Sequence, residues 1–170
     1  MVMGFLMRQN EWFVMVDMST EKLVLPLDMA TIRTLIPHSD DMCLLNQVVS
    51  VSEANIECLS VSQIDENNPL RFDGKLSVST GIEYAAQAMA LHGRLGLLND
   101  AASDLDDKPK RGYIVVLSKV NYMVDYLHVY PMMRIFCEQL MAHAQGSQYQ
   151  FTISNGKDCL LEGQALVSLE

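Results

Sequence analysis

Glu83 is the residue whose type and setting best suit proton transfer. It stands in Thr80-Gly-Ile-Glu-Tyr-Ala-Ala-Gln-Ala-Met-Ala, at the start of an alanine-rich apolar stretch. A helix beginning here places Glu83 in its first turn, beside backbone N–H groups that have no helical partner. Gln87 follows four residues on and shares that face, where it can orient the carboxyl. A carboxyl so placed is equipped to act as general acid or general base. The same spacing has a structural reading, because Thr80-x-x-Glu83 is a capping box in which Glu83 accepts from the Thr80 amide. The amides of Gly81 and Ile82 lie at the same helix end and are placed to hydrogen-bond a carbonyl that gains enolate-like charge. Glycine at 81 either admits a substrate closely or serves packing alone.

The four histidines differ by neighbourhood. His38 lies in Leu35-Ile-Pro-His-Ser-Asp-Asp-Met, ahead of the first strand-like stretch. It is a candidate base or substrate contact, and otherwise orders its loop by a hydrogen bond. His92 comes nine residues after Glu83, about 13 Å along a helix and near its opposite face. That position suits a core or interface histidine. His128 and His143 fall in strand regions without companions and read as structural. The cysteines, Cys43, Cys58, Cys137 and Cys159, are widely spaced in apolar stretches and form no C-x-x-C pair. They read as reduced core thiols, and no metal site is expected.

Neighbouring elements must hold these residues. Residues 27–36 read as a short helix with Asp28 as N-cap and Pro37 as its stop. Residues 44–52 and 56–62 read as strands joined by a turn at 53–55. Residues 65–75 form a loop by composition, and the strongest helix covers 81–99. An acidic loop at 100–110 leads to strands at 112–124, 132–144, 149–154 and 159–169. Gly146-Ser147 and Asn155-Gly156 mark the hairpin turns, the second as a type I′ signal. One long helix between runs of strands is an α+β arrangement. Its first turns carry small and apolar side chains on almost every face, so it must be surrounded. The expected architecture is a curved antiparallel sheet wrapped around one long central helix.

At 170 residues the chain suits a single domain, assigned to residues 18–170 behind an extension, 1–17, of doubtful role. Apolar residues make up 49% and charged residues 19%, which excludes general disorder. A net charge of −9 disfavours nucleic acid and anionic membrane as partners. The N-terminus lacks the pattern of a signal peptide, and residues 82–98 are too short and too polar to span a bilayer. A cytoplasmic location is expected.

Two blocks carry a resemblance. Gly81-Ile-Glu-Tyr-Ala-Ala-Gln-Ala-Met-Ala resembles the helix start of the hot-dog β-hydroxyacyl-carrier-protein dehydratases of fatty acid synthesis. Leu35-Ile-Pro-His-Ser-Asp-Asp-Met-Cys-Leu-Leu-Asn resembles their opening Leu-Pro-His and Leu-Leu-Asp segment. The likeness covers roughly residues 35–169 and is greatest to the dehydratase-like proteins of aryl polyene pigment pathways, which share Gly-Ile-Glu-Tyr-x-Ala-Gln and a histidine placed like His92. One departure stands out. The fatty-acid enzymes carry a Gly-His-Phe-Pro loop whose catalytic histidine lies fourteen residues before the acid; here that place is Pro69, in a loop without histidine.

The resemblance implies dehydration of a β-hydroxyacyl thioester of acyl carrier protein, or of the CoA ester, to the trans-2-enoyl product. Glu83 and His38 would be catalytic, and Gly81, Ile82, Gln87 and Phe72 would contact substrate. No cofactor is implied beyond the phosphopantetheine that arrives with the substrate. Lys108, Lys110 and Arg111, or Arg71 and Lys75, would face its entry or else be ordinary solvated charges. Domains of this type pair as dimers with pockets at the interface, so a homodimer or a heterodimer with another hot-dog subunit is expected. The missing loop histidine favours a catalytically weak subunit whose partner brings the base. An acyl-thioesterase, in which a lone helix carboxylate activates water, is a further alternative.

Overall fold

Alternation of buried and exposed side chains builds the sheet. The computed structural model describes residues 25–36, 40–99, 112–143 and 145–169; the expected extension, His38 and the acidic loop lie outside them. β3 (Asn55–Ser60) buries Ile56, Cys58 and Ser60, and β5 (Met133–His143) buries Met133, Ile135 and Cys137. β6 (Gly146–Asn155) does the same with Tyr149, Phe151 and Ile153. Such period-two burial is the mark of a sheet covered on one face. The remaining strands are β1 (Leu27–Asp28), β2 (Gln47–Val51), β4 (Gly112–Tyr122) and β7 (Asp158–Leu169). All pair antiparallel in the order β1-β2-β3-β5-β6-β7-β4. Register shifts in four of these pairings add twist and let the sheet curl.

The concave face holds helix α2 (Gly81–Asn99). Tyr84, Ala85, Ala88, Met89, Leu91 and Leu95 are buried, and the helix packs chiefly on β3, β5 and β6. Its alanines permit a close approach: the Cys137 thiol of β5 donates to the Ala85 carbonyl at 3.7 Å. Burial pushes the Cys58 thiol up to about 12 and raises Cys137 as well, so both stay protonated core groups. α2 is not enclosed on every side, because Ala90, Gly93 and Gly96 are exposed. Helix α1 (Met29–Leu35) precedes β2, and Asp28 Oδ1 accepts from the Thr31 amide at 2.9 Å as the expected N-cap.

The turns depart from expectation. Residues 146–147 are not a turn but the start of β6, where Gly146 lies so close to β7 that a Cβ would sit 2.1 Å from the Val167 carbonyl oxygen. In the β6–β7 hairpin Asn155 pairs with Asp158, so Gly156 and Lys157 are its central residues. Only Gly156 has positive φ (62°), a type II′ rather than type I′ pattern. The loop at 65–75 hides a real type I′ turn: Asp73 and Gly74 have φ of 50° and 71°, and Phe72 and Lys75 exchange both backbone hydrogen bonds.

Candidate active site

A 3₁₀ turn, Val78–Thr80, runs straight into α2. Ser77 caps it, its Oγ accepting from the Ser79 amide, and the Thr80 amide and hydroxyl both donate to the Ser77 carbonyl. The Thr80 donor of the capping box is therefore already engaged by Ser77. The half-buried Glu83 is held instead by Gln87, whose Nε2 donates to Glu83 Oε1 at 3.1 Å. This is the orienting pair expected from the i, i+4 spacing. Gln87 is itself fully buried; its Nε2 also donates to the Met42 carbonyl at 2.7 Å, and its Oε1 accepts from the Leu44 amide at 2.9 Å. The carboxyl and the segment after His38 are thus tied to one side chain.

The other expected contacts fall out differently. The Gly81 amide donates to the Val78 and Ser79 carbonyls and is not free for a substrate oxygen. A Cβ at Gly81 would lie 2.7 Å from Leu161 Cδ2 and 3.0 Å from Ile153 Cδ1, so this glycine answers to the core. Ile82 is half-buried beside it. Phe72 stands on the Asp73-Gly74 turn with 86% of its surface exposed, so it adds little to the core of its own chain. Arg71 clamps that turn, donating from Nη1 to the Gly74 carbonyl and from Nη2 to the Gln63 carbonyl, so it is spent on its own loop. Lys75 lies 5.3 Å from the Tyr126 ring centroid.

His92 is in the core. Its Nε2 lies 3.0 Å from the Ser52 carbonyl, which can only accept, so Nε2 carries the proton and Nδ1 accepts from the Tyr149 hydroxyl at 2.9 Å. His128 Nδ1 accepts from the Leu76 amide, and His143 is exposed at the end of β5. Among the described residues no cluster of three His, Cys, Asp or Glu could hold a metal, and no helix is long and apolar enough to cross a membrane.

A polar group that the sequence reading missed surrounds the base of α2. The Tyr84 hydroxyl meets Ser62 Oγ at 3.0 Å and Asn68 Nδ2 at 2.9 Å. Ser60 was legible: it follows Ile56 and Cys58 on the inward side of β3, and a buried hydroxyl there needs a partner. Beside this end of the helix an open groove of about 600 Å³ runs between residues 77–79 and 122–126; Glu83 does not line it.

A family model described as ApeP dehydratase, of the ApeP-like family, matches residues 30–168. The dehydratase heterocomplex ApeI:P from Xenorhabdus doucetiae is similar with a TM-score of 0.72 and 22% identity, covering 87% of this chain and 93% of that one. A variant of the HP0420 homologue from Helicobacter felis gives 0.54 at 14% identity, over 80% and 98% of the two chains. Thioesterase HI1161 from Haemophilus influenzae gives 0.51 at 12%, over 73% and 77%. At these identities the structural likeness is one of fold. No curated protein sequence matches. The match along most of the sequence, on a sheet wrapped around the helix that bears Glu83, makes this chain a member of the ApeP-like family of hot-dog dehydratases.

Proposed function

We propose that the chain dehydrates β-hydroxyacyl thioesters of acyl carrier protein in polyene biosynthesis, with Glu83 as proton donor and His38 as base. The supporting observation is the Glu83–Gln87 pair, a carboxyl at the start of the central helix held by a buried amide. In this reading the base takes the Cα proton, the electron pair forms the Cα–Cβ double bond, and the Cβ–O bond breaks. Glu83 gives its proton to the departing hydroxyl, which leaves as water while the thioester stays intact. His38 belongs to the stretch leading into Met42 and Leu44, both of which are tied to Gln87. With the Gly81 amide engaged, Ile82 is the substrate contact left at the helix start. Phe72 meets the acyl group where a second subunit closes over its turn. The reaction calls for no cofactor and belongs in the cytoplasm.

A second reading has its own support. Among the described residues β4 is an open edge, and the similar ApeI:P structure is a dehydratase heterocomplex. In that reading this chain pairs with another hot-dog subunit, which supplies the base missing at Pro69. The test is mass spectrometry of a β-hydroxyacyl carrier-protein thioester incubated with the wild type and with Glu83→Gln. Loss of one water, abolished by the substitution, supports the dehydratase. An intact hydroxyacyl thioester moves the base to a partner, and release of free thiol marks a thioesterase.

A further inference from the structure

The residue after Glu83 is a fully buried tyrosine whose hydroxyl joins three chain segments. Donor counting fixes the direction of each bond. Asn68 Nδ2 has only protons to give, and it donates to the Tyr84 oxygen at 2.9 Å. The Tyr84 proton then goes to Ser62 Oγ, 3.0 Å away, and the Ser62 proton to the Leu44 carbonyl at 2.8 Å. Ser60 Oγ lies 2.6 Å from the same carbonyl and donates to it too. Leu44 is thus gripped through its carbonyl by Ser60 and by Ser62, which Tyr84 holds, and through its amide by Gln87. Asn68 also donates to the Ser62 carbonyl and accepts from the Leu70 amide, which sets the loop around Pro69. Burial raises the Tyr84 pKa, so the hydroxyl remains a neutral donor.

We propose that Tyr84 is a positioning residue for the reaction at Glu83. Its hydroxyl fixes how far the 42–46 and 62–70 segments stand from the first turn of α2, and so the shape of the space around the carboxyl. The proposal rests on the reading of Glu83 as proton donor. Phenylalanine would fill the same volume and remove one donor and one acceptor. Ser62 and Asn68 would then lose their common anchor. A misplacement of about 1 Å costs about 100-fold in rate when reacting groups must be aligned, so the loss falls on kcat.

The test is steady-state kinetics on a β-hydroxybutyryl carrier-protein thioester, with the protein in the oligomer in which it is isolated. Wild type, Tyr84→Phe, Ser62→Ala and the double variant are compared, each with its urea midpoint. The expected result is kcat lower by about tenfold or more in each single variant, KM within about twofold, and a double variant no worse than the poorer single. Unchanged kcat per folded molecule with a lower urea midpoint would make Tyr84 purely structural and overturn the proposal. Should Tyr84→Phe not fold, Ser62→Ala cuts the same path at its half-buried end and decides alone. A wild type that removes no water, alone or mixed with a second hot-dog subunit that supplies the base, sinks the Glu83 reading and this proposal with it, whereas an active wild type with unaffected variants sinks the proposal only.

Discussion

At the scale of single residues, Gly81 shows how a position beside a catalytic candidate can be fixed by the core. A methyl group there would meet Leu161 and Ile153 within 3.0 Å, and both side chains are fully buried. Overpacking of this kind costs about 1–3 kcal/mol. For a chain of this size that corresponds to a Tm lower by roughly 5 °C. Gly81→Ala is therefore expected to lower the Tm measured by calorimetry. An unchanged Tm would show that Leu161 and Ile153 swing aside, and glycine would then owe its place to substrate approach instead. Gln87 is the complementary case, a polar side chain whose three hydrogen bonds leave no apolar replacement neutral. Removing it strands the Met42 carbonyl and the Leu44 amide and takes one hydrogen bond from Glu83.

At the scale of elements, α2 is fastened to the sheet by His92. Its ring donates to Ser52 in the β2–β3 turn and accepts from Tyr149 of β6, to which Gln139 of β5 also donates at 3.2 Å. Burial pushes the Tyr149 phenol up to about 12 and lowers His92 below its ordinary 6.5. The unfolded chain thus takes up this proton before the folded one does. Stability conferred by the neutral imidazole is complete above about pH 6.5 and is lost as pH falls from there toward the depressed folded value. Urea midpoints between pH 8 and pH 5 should decline on the acid side, and His92→Gln, which can still donate to Ser52, should flatten the decline. An equal decline in the variant would assign it to another group.

Elements are also where the sequence was most legible. Period-two burial in β3, β5 and β6 and the Asp28 cap could be read directly, because each is a local rule. The Asp73-Gly74 hairpin escaped notice because its arms are single bridging residues, too short to show alternation. Gly146 looked like a turn residue, yet its reason is a carbonyl on β7 that is near only in three dimensions. The Glu83–Gln87 pair followed from helical spacing, while the Tyr84 junction depends on segments sixteen and more residues away. The capping-box alternative turned on Ser77, which lies outside the four-residue pattern.

At the scale of the whole molecule, the sheet has two edges of unequal kind. β1 contributes two residues, whereas β4 offers eleven, bonded among the described residues only to β7 on one side. A long edge rich in exposed apolar groups is a template for pairing. Val115 is 55% exposed and Val116 50%, with Tyr113, Leu117 and Tyr122 beside them, and Lys119 is the one charge in the strand. Lys119 sits at φ 51° within the register shift after Ser118, and an earlier shift between Ile114 and Val116 leaves 116–118 as the regular stretch between the two. Val116→Lys places a charge in that stretch without entering the core, so the subunit itself should fold with its stability little changed. If a second hot-dog subunit pairs along β4, the lysine must be desolvated there, and light scattering should find the mass of one chain where the wild type gives two. Val49→Lys, at a 37% exposed valine on β2, is the control and should leave the mass alone. A Val116→Lys protein that keeps the wild-type mass would remove β4 from the interface, and a base supplied by a partner would then have to reach Glu83 from another face.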